Sequence, residues 1–118
     1  NPELVERVMY SDNGEQCFLF YANRDLVVVD VLTGQIINTI PDIPKLEWYA
    51  GKDEKQNTYI YGYEGCYVFD SKMQPIMYIE SVRHIDLENR KIYLSWYSKE
   101  YEAPLYTTEE LLQIAQEQ

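Results

Sequence analysis

The chain has 118 residues, 46% of them hydrophobic, and a formal net charge of −10 from 20 acidic and 10 basic side chains. That is enough apolar material for one ordinary core, and it excludes a disordered or low-complexity class. The scattered basic residues exclude nucleic acid as a partner, since phosphate binding draws on clustered Lys and Arg, and no apolar run reaches the roughly 18 residues of a membrane span.

Residues 4–10 alternate loosely and predict a strand. Ser11-Asp12-Asn13-Gly14 is turn chemistry, because Asn and Gly tolerate positive φ and short polar side chains bond nearby amides. Residues 17–21, 26–31 and 36–40 predict three more strands, joined by Ala22-Asn23-Arg24-Asp25 and by Thr33-Gly34. Pro41 and Pro44 then break the pattern, since proline cannot donate to a ladder. Four short strands with tight turns predict an antiparallel meander.

The same order returns forty residues later. Asp30 and Asp70 close matching apolar runs, and residues 17–40 align with 57–80 without a gap. Strands are expected at 46–50, 58–61, 66–69 and 75–79. A third unit begins at 82–86, turns at Glu88-Asn89-Arg90 and runs through 91–97. The units thus fall at about 4–42, 46–81 and 82–97, within a β region 1–97 followed by a connector and helix over 98–118. A repeat of this period signals stacked supersecondary units, none stable alone. The inner strands are apolar on both faces: Leu26 and Val28 point one way, Val27 and Val29 the other. Such strands expect sheets above and below them.

Residues 102–105 read as a connector. Thr107 then opens a helix as N-cap, with Glu110 reaching back in a capping box and Tyr106 and Leu111 placed for a hydrophobic staple. Leu111, Ile114 and Ala115 share a face with Leu112 at its edge, a stripe expected to dock on the chain's own sheets. The expected class is therefore all-β, with antiparallel four-stranded blade-like repeats and a short C-terminal α-helix.

Few residues suggest chemistry. His84 and Asp86 form a His-x-Asp pair on one strand face, but His84 is the sole histidine, and a hydrogen bond at a surface or interface is the expected role. Asp12-Asn13-Gly14-Glu15 lacks the ligand spacing of a calcium loop. Cys17 and Cys66 lie in apolar runs, so both are expected as core thiols, which favours a reducing, cytoplasmic compartment. No catalytic residue, metal site or cofactor is assigned. Twelve tyrosines and two tryptophans are the notable load. Tyr59, Tyr61 and Tyr63 lie at alternate positions. With Trp48 and Trp96 they form the candidate aromatic binding surface, inter-sheet packing being the competing role.

The residues 26–35, Leu-Val-Val-Val-Asp-Val-Leu-Thr-Gly-Gln, resemble the third strand and following turn of a β-propeller blade of WD40-like or quinoprotein-like type. Residues 66–70 are a weaker copy. The Trp-Asp pair of such blades is Val29-Asp30 and Phe69-Asp70 here, and no Gly-His pair precedes them. The resemblance implies an Asx-type bond at Asp30 and positive φ at Gly34. It covers about two and a half blades, where propellers use four to eight. With the Asn1-Pro2 start and the terminal helix, that fraction implies the C-terminal part of a larger propeller. The implied function is a non-catalytic protein-interaction or scaffold module, whose partners are another protein or the remaining blades. The alternatives are a ligand-binding or catalytic propeller (a quinoprotein-like dehydrogenase or a hydrolase) and a domain that assembles with copies of itself.

Overall fold

The computed structural model describes residues 4–117, so the Asn1-Pro2 start lies outside the described residues. Sheet 1 is a meander of β1 (Val5–Tyr10), β2 (Gln16–Tyr21), β3 (Leu26–Asp30) and β4 (Ile36–Ile40). Sheet 2 repeats it with β5 (Trp48–Lys52), β6 (Thr58–Tyr61), β7 (Gly65–Phe69) and β8 (Pro75–Glu80). Sheet 3 contains β9 (Val82–Asp86), β10 (Lys91–Trp96) and β11 (Lys99–Pro104), and a helix, α1 (Thr108–Gln116), follows. The fold is all-β, antiparallel and blade-like, as expected.

Aspartates set the turns. Asp30 Oδ1 accepts from the amides of Leu32 (2.9 Å) and Thr33 (3.2 Å), and Gly34 takes φ +73°. Asp70 does the same for Lys72 and Gln74, both at 2.9 Å, with Met73 at φ +62°. Each carboxylate replaces water for amides that the turn leaves unpaired. These local bonds are what the forty-residue repeat encodes.

The sheets stack through two cores. Phe18, Phe20, Leu26 and Val28 of sheet 1 meet Ile60 and Phe69 of sheet 2. On the opposite side of sheet 2, Tyr59, Tyr61, Cys66 and Val68 meet Val82, Ile85 and Ile92 of sheet 3. Period-two alternation sends Tyr59 one way and Ile60 the other. Sheet 2 is thus the doubly covered sheet, and all four residues of β6 are buried. The Cα radius of gyration, 14.9 Å, exceeds the roughly 13.5 Å of a compact domain this size, as suits an open arc of sheets.

Three expectations are corrected. Residues 99–104, read as part of the connector, are strand β11, paired with β10 from Trp96↔Lys99 to Lys91↔Pro104. Tyr97 and Ser98 form the hairpin, both at positive φ (51° and 65°), without the Asn-Gly signal that such a turn usually carries. The both-faces packing expected of β2 and β3 is also absent, since sheet 1 is covered on one face only. Finally, α1 has its capping box at Thr107 and Glu110 but buries no residue. Its Leu112 and Ile114 face outward while Leu111 borders Ile79 and Leu94, so the expected docking on the sheets is reduced to an edge contact in the helix's first turn.

Candidate functional site

The candidate aromatics separate into three environments. Tyr59 is fully buried between sheets 2 and 3, with its hydroxyl donating to Asp53 Oδ2 at 3.0 Å. Burial first, then the Asp53 charge, raises its pKa well above the usual phenol value. Its ring is core and presents no surface. Trp96 lies apart on β10, tilted against Tyr101 at 6.0 Å between ring centres.

Trp48, Tyr61 and Tyr63 do come together. The Trp48 ring lies 5.3 Å from Tyr61 and 5.2 Å, edge-on, from Tyr63. Trp48 and Tyr61 are cross-strand partners on β5 and β6. Tyr63 is not on that strand face, because β6 ends at Tyr61. It tops the following turn, which the Gly62 amide closes by donating to the Gly65 carbonyl at 2.9 Å. Gly65 is required there, since a Cβ would sit 2.4 Å from the Ile79 carbonyl oxygen. Tyr63 is 82% exposed and Trp48 42%.

Tyr63 forms a ridge between two shallow hollows. One, of about 350 Å³, is lined by Trp48, Gly62, Tyr63, Val82 and Arg83. The other, of about 310 Å³, runs along Pro44, Leu46, Glu47, Gly62, Tyr63 and Tyr78. Arg83 caps the first hollow while its guanidinium reaches Glu100 at 3.2 Å.

His84 extends the aromatic row. Its Nδ1 is 3.3 Å from the Tyr61 hydroxyl, and its ring lies 5.7 Å from that of Tyr93. The expected hydrogen-bonding role is met. Asp86 acts elsewhere, accepting from Asn89 at 2.8 and 3.2 Å, bonds that lower its pKa below the carboxylate norm. The His-x-Asp pair therefore serves two separate purposes. Sequence reading missed Arg83 and counted Tyr93 only within the general aromatic load, without joining either to this group. Their only signal was placement on the strands next to His84.

Both cysteines are buried and free, as expected. Burial pushes the Cys66 thiol up to about 12, so it stays protonated at neutral pH. Among the described residues no three His, Cys, Asp or Glu side chains converge to hold a metal ion, and no helix is long and apolar enough to cross a membrane. The site therefore offers flat aromatic rings, a guanidinium and shallow hollows, which suit contact with another surface.

No protein-family model matches the sequence, and no curated protein matches it. Solved structures do. Hsv2 of Kluyveromyces lactis, a yeast β-propeller protein, aligns with a TM-score of 0.53 at 11% identity, covering 91% of this chain and 35% of its own. A form of the same protein with loop 6CD replaced by a Gly-Ser linker aligns at 0.54 and 11% identity, covering 91% and 37%. The form with the complete loop 6CD gives 0.53, 11%, 91% and 34%. The likeness shows a propeller-like fold, and the chain spans about a third of the length of these structures.

Proposed function

We propose that this chain forms blades of a larger β-propeller acting as a non-catalytic protein-interaction module. One observation carries the reading. The uncovered face of sheet 1 is built from Val8, Tyr10, Leu19, Tyr21, Val27 and Val29, placed together by the strand register. Tyr10 is 57% exposed and Val8 50%, an apolar face that water does not favour. A further blade is the fitting cover, because the opposite face of the same sheet is already covered that way by sheet 2.

Within such a module, Trp48, Tyr63 and Arg83 are the contact residues. Trp, Tyr and Arg supply most of the energy at protein interfaces, and here they rim one hollow. The WD40-like reading of the units rests on Val29-Asp30 and Phe69-Asp70 closing equivalent strands. The buried free thiols suit a reducing, cytoplasmic compartment.

The test has two parts. Light scattering of the chain alone should show concentration-dependent association through sheet 1, reduced by Val27→Lys. A clean monomer at high concentration would remove the argument for a missing blade. Trp48→Ala and Tyr63→Ala should each weaken partner capture at least tenfold with an unchanged thermal midpoint. A turnover activity abolished by His84→Ala, with folding intact, would replace the reading with a catalytic one.

A further inference from the structure

Sheets 1 and 2 each have four strands and sheet 3 has three. In the first two, the third strand is flanked on its outer edge by β4 or β8. In sheet 3 the corresponding strand, β11, is the edge itself, and residues 99–102 are exposed.

The backbone of β11 has a defined polarity. The Leu105 amide donates to the Arg90 carbonyl at 2.9 Å, so Leu105 points its main-chain groups toward β10. Strand alternation then turns Ala103 and Tyr101 toward β10 as well, and turns Glu100 and Glu102 outward. The Ser95 amide, which donates the other way to Ser81 at 2.9 Å, agrees with this phase. Two N–H groups and their carbonyls, at Glu100 and Glu102, therefore face the open edge. Beside that edge is an apolar groove of about 380 Å³, lined by Ile79 of β8, Leu94 and Ala103 of sheet 3, and Leu105, Tyr106 and Leu111 of the tail.

We infer that β11 is a docking edge for an extended segment of another protein, added as a fourth, antiparallel strand of sheet 3. The segment carries aliphatic side chains at alternate positions, with lysine or arginine between them. The arrangement continues what β4 and β8 already do for the other two sheets. Aliphatic side chains on one face of the strand would fill the groove beside Ile79, Leu94 and Leu111. Basic side chains on the other face would stand beside the Glu100 and Glu102 carboxylates, whose present partners, Arg83 at 3.2 Å and Lys91 at 2.7 Å, leave both side chains more than half exposed. Lys99, the cation of this strand, lies at the end away from Ala103 and the groove. Main-chain bonds supply the affinity in this mode and alternate side chains the selectivity. The inference is independent of the Trp48–Tyr63 surface, so either can fail alone.

The experiment titrates the full chain against a labelled decapeptide of alternating valine and lysine, read by fluorescence polarisation. Binding in the micromolar range is expected, with none for the valine–glutamate analogue. Glu102→Pro removes one outward N–H without touching the β10 ladder and should weaken binding at least tenfold. Glu102→Ala keeps that N–H and should weaken it less than threefold. A peptide N-methylated at alternate positions should fail when its methyl groups face the edge, which tests the same bonds should Glu102→Pro not fold. Equal effects of the two Glu102 variants, or no binding, would overturn the inference. So would a homodimer dissolved by Glu102→Pro, since the occupant would then be a second copy.

Discussion

Sheet 1 and sheet 3 stand at the two ends of the stack, each with one face against sheet 2 and one face uncovered. On sheet 1 the uncovered face is aliphatic and aromatic across β1 to β3. On sheet 3 it holds Lys91 paired with Glu102 and Arg83 paired with Glu100, beside Tyr93, the cross-strand partner of Glu102. Water solvates the second face, whereas contact with water costs free energy at the first. The two ends are therefore not equivalent: one presents an apolar face and the other a charged one.

The largest effect separates neighbours on one strand. Phe18 is fully buried against sheet 2, while Leu19 points to the open face. Phe18→Ala should cost about 3–5 kcal/mol in denaturant unfolding, the usual range for a deleted core phenylalanine. Leu19→Ala should cost below about 1 kcal/mol, as for a site with few packed partners. A Leu19 cost equal to that of Phe18 would mean that sheet 1 is covered on both sides in solution. A second contrast sets the two end faces against each other. Val27→Glu should raise solubility and lower self-association in sedimentation, and Tyr93→Glu on sheet 3 should change neither.

Much of this architecture was readable in the chain because its causes are local. Asp30 and Asp70 set their own turns through amides two to four residues away, and the capping box at Thr107 is a contact over three residues. Strand β11 was hidden because Lys99, Glu100 and Glu102 mask its alternation and Tyr97-Ser98 makes a turn that usually calls for Asn-Gly. The candidate site was legible only in part. Trp48 and Tyr61 meet as cross-strand partners, which register alone can suggest, whereas Tyr63 depends on β6 ending two residues earlier. Whether Tyr59 is surface or core is decided by sheet 3, which begins more than twenty residues later and is invisible to a pattern within β6.

The two cores also differ in what they titrate. The layer between sheets 2 and 3 holds Tyr59, Tyr61 and Cys66, all with pKa values raised by burial. For Cys66 the value rises from 9.0 to about 12. The unfolded chain loses this proton first, so stability is full below about pH 9 and falls as pH rises toward 12. The denaturation midpoint should therefore drop between pH 9 and pH 10.5, and Cys66→Val should flatten part of that drop. A midpoint independent of pH across this range would mean that the sheet 2–sheet 3 layer admits water.

The smallest effect belongs to α1, which shares neither core. Thr107 Oγ1 accepts from the Glu110 amide at 3.1 Å, and Glu110 Oε1 accepts from the Thr107 amide at 2.8 Å while also pairing with Arg90. Thr107→Ala should cost the helix about 1 kcal/mol, as lost caps do. Because α1 buries nothing, that cost should appear as faster amide exchange over residues 108–116, with the global midpoint nearly unmoved. The Thr107 amide, and then Arg90, hold the Glu110 carboxyl below its ordinary 4.5. A depressed carboxylate stabilises above the unfolded value and loses that contribution as pH falls through the folded one. Helical signal should therefore fade below about pH 4.5 in the native chain, and Glu110→Gln should remove the pH dependence. If Thr107→Ala instead lowered the global midpoint as much as a core substitution, the helix stripe of Leu112 and Ile114 would have to be packed against a sheet in solution, and the groove that Leu111 already lines with Ile79 and Leu94 is the surface within reach.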